Sequence, residues 1–307
     1  MPEAPVGFLS VEDYLRLPRD PETWLIKPLI PTSGAALLYG APKLGKSGLA
    51  IQLAAALSGA YDDWLGFPIV KPGPVLYLQL DQPRSTWADR FEKLKAAGLK
   101  WTENLKLADR ETIGCFPCDV LRPEHARILR ELVQYHKAES VIVDTLRECH
   151  SGDENDSTVS RNVIANLVSI TAPAALAVVS HDRKPSAELG KDLMADHRGS
   201  GYITGRMDCI LRMTRNKLYY GGRSIEEGSI KLNRISLDGT VMFDVATVQE
   251  EELMLAKVMT DQTLPSARAK ARALALLLHI PEETAMSRIR RAAPQFALST
   301  EPVAVAS

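Results

Sequence analysis

The stretch Gly40-Ala41-Pro42-Lys43-Leu44-Gly45-Lys46-Ser47 limits what this chain can fold into more than any other segment. It fits the pattern G-x-x-x-x-G-K-[S/T], a glycine loop whose backbone wraps phosphate groups. The pattern carries weight only between a strand and a helix, and the flanks supply both. Ala35-Ala36-Leu37-Leu38-Tyr39 is a short apolar run suited to a buried strand, and Gly48 to Leu57 is rich in helix formers. Backbone N–H groups of Gly45, Lys46 and Ser47 then converge at the positive end of the helix, which favours an anion. Lys46 is expected to reach the β- and γ-phosphates of a nucleotide such as ATP, and the Ser47 hydroxyl to ligate Mg²⁺. Gly40 to Gly48 as a whole is the expected nucleotide-binding loop.

Two later apolar runs end in carboxylates. Val75-Leu76-Tyr77-Leu78-Gln79-Leu80-Asp81 reads as a strand closed by Gln82-Pro83, and Ser140-Val141-Ile142-Val143-Asp144-Thr145 as another. In an open α/β sheet, active residues collect at the carboxyl ends of strands. Asp81 therefore stands where a water-activating carboxylate is wanted, or else caps a helix starting near Ser85. Asp144, about a hundred residues after the glycine loop with a strand between, is expected to hold the magnesium shell opposite Ser47. A further buried run, Ala174 to Val179, ends in Ser180-His181. That histidine is either a phosphate sensor or a satisfied structural residue.

The rest of the chain is less specific. At 307 residues it can bury one large α/β core and a small appendage, and a net charge of −1 sets up no global basic field for nucleic acid. Positive charge is local: Arg183, Lys184, Lys191 and Arg198 fall in a long loop after His181, suited to a phosphate backbone or simply solvated. Cys115, Cys118, Cys149 and Cys209 suggest ordinary thiols in a reducing cytoplasm, and no second pair completes a zinc site around Cys115 and Cys118. No apolar run has the length of a membrane span, so a soluble protein is expected.

Residues 1–31 read as an N-terminal arm with a short helix capped at Ser10, residues 32–248 as the α/β core, residues 249–296 as a small helical unit, and residues 297–307 as a disordered tail. Within the core, residues 84–110 read as helical. From Asp208 the pattern changes to antiparallel strands, with Gly221-Gly222 and Asp238-Gly239 as turns, and Arg223 follows one strand where it could offer a guanidinium to a neighbouring subunit's nucleotide. The last helices have a helix-turn-helix outline with a positive bias, suited equally to DNA and to docking on the core.

The glycine loop, Leu78-Gln79-Leu80-Asp81, Asp144 followed by Gly152-Asp153-Glu154-Asn155-Asp156, Ser180-His181 and Arg198-Gly199-Ser200-Gly201 together resemble a RecA-type ATPase across about residues 20–245. More closely they look like the hexameric replicative helicases of the plasmid RepA kind, and like DnaB-type motor domains. The resemblance implies a RecA-like P-loop core with a mainly parallel sheet and antiparallel C-terminal strands. It also implies ATP and Mg²⁺ as cofactors, a ring-shaped homo-oligomer, and single-stranded DNA as partner in replication. Within it, Asp81 matches the family's catalytic glutamate, His181 its sensor and Arg223 its arginine finger. The loops after Asp144 and His181 match those that face DNA. Two departures bear on turnover: Asp81 is a methylene shorter than glutamate, and Gly221 replaces a usual lysine two residues before Arg223.

Overall fold

Apolar runs covered on both faces make central strands, and in the computed structural model they lie side by side in one sheet. The structure describes residues 9–18, 24–153, 156–181, 205–245, 254–255, 257–261, 263–278 and 281–298. Its strands are β1 (Trp24–Ile26), β2 (Ile30–Pro31), β3 (Ala35–Gly40), β4 (Asp63–Trp64), β5 (Phe67–Pro68), β6 (Val75–Gln79), β7 (Leu105–Ala108), β8 (Ser140–Asp144), β9 (Ala175–His181), β10 (Cys209–Met213), β11 (Lys217–Gly222), β12 (Ile225–Leu237) and β13 (Thr240–Val245). The helices are α1 (Val11–Arg16), α2 (Lys46–Ala55), α3 (Arg84–Ala96), α4 (Pro123–Tyr135), α5 (Ser157–Thr171), α6 (Ala267–Leu278) and α7 (Glu282–Leu298).

The main sheet has the order β13-β12-β11-β10-β3-β9-β8-β6-β7. Strands β7, β6, β8, β9, β3 and β10 are parallel, and β11 to β13 continue antiparallel. The glycine-loop strand β3 is thus separated from β8, which carries Asp144, by the inserted strand β9, which carries His181. Helices α2 and α3, with the β1–β2 pair, cover one face through Leu49, Leu53, Trp87, Leu94, Leu25 and Ile26. Helices α4 and α5 cover the other through Leu129, Val133, Val163 and Leu167. This is the RecA-like layering of a mostly parallel sheet between helices. A separate apolar cluster of Val258, Ala271, Leu274, Ala285 and Ile289 holds α6 and α7 together.

Several details differ from the sequence expectation. Residues 84–110 are not one helix: α3 ends at Ala96, because Gly98 turns the chain with φ of 93°, and Leu105–Ala108 then forms the edge strand on β6. Strand β12 is thirteen residues long, pairing first with β11 and then with β13. Gly221 and Gly222 remain in β11, so the turn falls on Arg223 and Ser224. Helix α7 continues through Leu298. Among the described residues no helix is long and apolar enough to cross a membrane.

Candidate nucleotide site

The phosphate loop follows β3 directly, and its helix α2 begins at Lys46 after Gly45, which takes φ of 98°. The β12–β13 hairpin presses on this corner. A Cβ on Gly48 would overlap the Val241 carbonyl oxygen, and one on Gly45 would lie 2.9 Å from the Phe243 ring, so both positions have room only for glycine. Gln52 fastens the hairpin down, donating to the Phe243 carbonyl at 2.7 Å and accepting from its N–H at 2.8 Å. Lys93 of α3 holds the hairpin tip through the Asp238 carbonyl at 2.7 Å.

Lys46 is only 4% exposed. Its ammonium donates to the Gly40 carbonyl at 2.9 Å, to the Ala41 carbonyl at 3.0 Å and lies 3.1 Å from His181 Nδ1. An ammonium has no acceptor, so His181 Nδ1 accepts and the ring is neutral with its proton on Nε2. The pairing follows from register, since Gly40 and His181 are partners across β3 and β9. Glycine loop and inserted strand are therefore in direct contact through the residue that would hold phosphate.

Asp144 is fully buried at the end of β8. Its Oδ2 accepts from the Tyr77 hydroxyl at 2.8 Å, the Ser47 hydroxyl lies near enough to favour its charged form, and its Oδ1 is buried without a partner. Burial pushes its carboxyl up to about 6, and the charge of Asp81 adds to this. The Tyr77 hydrogen bond, the Ser47 hydroxyl and the Arg90 guanidinium pull the other way. Burial, then the Asp144 charge, holds Tyr77 well above the usual phenol range. A bare, raised carboxylate oxygen beside a hydroxyl is an incomplete set of hard oxygen donors, which fits Mg²⁺. Ser47 and Asp144 would hold the ion, and there it would supply charge for the β- and γ-phosphates.

Asp81 lies just beyond β6. The helix after it is capped at Pro83, so Asp81 does not serve as the cap. Its carbonyl and that of Leu80 accept from Arg110, and its Oδ1 is buried without a partner. Three further side chains stand at this edge, and of these only Gln79 falls within a segment of the family resemblance, with no role of its own there. Tyr77 and Gln79 stand on the α2 face of β6, and Gln79 is in register with Asp144. Arg90 lies with its guanidinium carbon 4.6 Å from the Trp87 ring centroid, donating from Nη2 to Gln82 Oε1 at 2.9 Å. Tyr77 and Arg90 sit in stretches that read only as an apolar strand or a charged helix, and Gln79 enters only as part of Leu78-Gln79-Leu80-Asp81; the polar interruptions of the apolar strand, Tyr77 and Gln79, are the available signal.

Arg223 is elsewhere. Gly222 pairs with Cys209, and Cys209 with Ala36, so the β11–β12 turn lies at the amino end of the parallel strands. That is about 13 Å along β3 from the glycine loop. There its N–H bonds the Asp208 carbonyl at 3.3 Å and its guanidinium donates to the Gly205 carbonyl. Arg183, Lys184, Lys191 and Arg198 lie outside the described residues. Cys115 and Cys118 are buried and in contact, and burial pushes the Cys118 thiol up to about 12, as expected of inert thiols.

Fold and site define a RecA-like P-loop ATPase. The AAA domain family model matches residues 2–187, and the chain belongs to that family. A solved KaiC-like protein from Pyrococcus horikoshii OT3 is similar at 16% identity over 71% of this chain and 93% of that one, with a TM-score of 0.46.

Proposed function

We propose that this ATPase is a DNA motor of the hexameric replicative helicase type, acting on single-stranded DNA in the replication of a plasmid, phage or mobile element. The observation that carries this reading is the distance between Arg223 and the chain's own glycine loop. A guanidinium at the amino end of the sheet cannot serve the nucleotide at the carboxyl end, but in a ring it can face the site of a neighbouring copy. The contact between Lys46 and His181 supports a relay. Phosphate that draws Lys46 away breaks this contact, so that the state of the nucleotide is reported to β9, the strand that precedes the basic residues Arg183, Lys184, Lys191 and Arg198 in sequence.

Hydrolysis measured at low salt with and without single-stranded DNA tests the coupling; strong stimulation is expected. Mixing tests the ring. Arg223→Ala and Lys46→Ala proteins, each inactive, should partly restore turnover together, and no restoration would contradict a shared site. A second reading, an accessory ATPase that coats DNA without unwinding it, is favoured by the short Asp81 side chain. A forked duplex separates the two, since only a motor displaces the strand.

A further inference from the structure

Most polar side chains along the carboxyl edge of the sheet have a tie within the chain. Lys46 holds loop carbonyls, Tyr77 holds Asp144, and Arg90 holds Gln82. Gln79 has none. It is 3% exposed, and neither its amide nitrogen nor its carbonyl oxygen meets a hydrogen-bond partner. A buried carboxamide without partners costs stability, whereas an apolar side chain of the same length costs nothing there. The rest of β6 is apolar apart from Tyr77, which is bonded.

The position is specific. Alternation along β6 sends Leu76, Leu78 and, just beyond, Leu80 into the core under α4 and α5, and sends Tyr77 and Gln79 to the face that α2 and α3 cover. Gln79 is in register with Asp144, whose Oδ1 is likewise buried and bare. Two residues on comes Asp81, with its own bare buried Oδ1. A carboxamide offers both a donor and an acceptor, which is what orienting a water molecule requires. Asp81, being short, needs that water brought to it.

We propose that Gln79 is a catalytic residue that positions the attacking water between Asp81 and the γ-phosphate, an assignment that rests on this edge being the ATP site. The Gln79 carbonyl accepts a hydrogen bond from one hydrogen of the water, which stays on its oxygen, and Asp81 takes the other hydrogen as a proton. The water oxygen forms a bond to the γ-phosphorus. The bond from that phosphorus to the bridging oxygen breaks, its electron pair leaving with ADP. The products are ADP, phosphate and the proton released from Asp81.

The test uses the full chain with Gln79→Met, which keeps length and removes both polar atoms, and Gln79→Leu as a second variant. Turnover, affinity for a fluorescent nucleotide with Mg²⁺, and melting temperature are read on each. The expected result is a fall in kcat of roughly a hundredfold, nucleotide affinity within twofold of the wild type, and a melting temperature unchanged or higher. Unchanged kcat in both variants overturns the role. A lowered melting temperature or failure to fold in both overturns it as well, since that is the mark of a packing residue. If the wild-type protein binds no nucleotide, the site assignment itself falls, which is distinguishable because binding is read before turnover.

Discussion

Asp109 and Asp144 stand at the carboxyl ends of β7 and β8, on either side of β6, and their surroundings are opposite. Asp109 accepts from Arg84 Nε at 2.7 Å and Arg84 Nη2 at 3.1 Å, from the N–H groups of Glu111 and Thr112 at 2.9 Å each, and from the Thr112 hydroxyl at 3.0 Å. The Arg84 hydrogen bond, with these turn donors, holds its carboxyl well below the ordinary range. Asp144 is more deeply buried, has one bare oxygen, and is raised instead. The first carboxylate is finished by its own chain and closes a loop. The second is destabilising until something outside the chain arrives, which is how a binding site differs from a structural joint.

The largest effect should come from Lys46→Ala. It removes the cation expected on the β- and γ-phosphates, and steady-state hydrolysis should fall roughly a thousandfold; retained turnover would remove the glycine loop from the site altogether. Next is Asp144→Asn. The folded-state value of about 6 lies above the ordinary 3.8, so the folded chain binds this proton more readily than the unfolded one. Stability contributed by the protonated form is present below pH 4 and lost as pH rises toward 6. The ionised group then costs about 3 kcal/mol at neutral pH. Denaturant melts of the metal-free protein should therefore show Asp144→Asn more stable than wild type by up to about that amount at pH 7.5, with the gain vanishing near pH 4. Equal stability at both values would mean that Asp144 is not strained.

The smallest effect sharpens the contrast from the other side. Asp109 is depressed, so its stabilisation is present above the ordinary carboxylate range and fades as pH falls through its lowered value. Because Arg84 is half exposed, solvent screens the pair. Asp109→Asn should lower the melting temperature by no more than about 3 °C at neutral pH, with turnover within twofold. A large loss of turnover there would make Asp109 part of the site.

The parts legible in sequence are those in which residue type and local pattern coincide. The glycine loop, the apolar run into Asp144 and the run into His181 each announce a strand end, and parallel strands share one edge. What was hidden depends on neighbours distant in sequence. Tyr77 and Gln79 look like interruptions of a buried strand, because a strand covered on both faces shows no alternation to say which way they point. Arg90 on its charged helix resembles any solvated arginine until Trp87 and Gln82 fix it. The clamp of Gln52 on Phe243 joins residues 191 positions apart. Leu105–Ala108 reads as helix in the sequence because a four-residue edge strand carries too little pattern to outweigh the charged helix before it.

The central claim is that the bare oxygen of Asp144 is reserved for a metal ion that accompanies a nucleotide. Calorimetric titration of ADP into wild-type and Asp144→Asn protein, each with Mg²⁺ and with EDTA, tests it directly. Wild type should bind at least tenfold more tightly with Mg²⁺ than with EDTA, and Asp144→Asn should bind alike in both. Equal magnesium dependence in the two proteins would contradict the account.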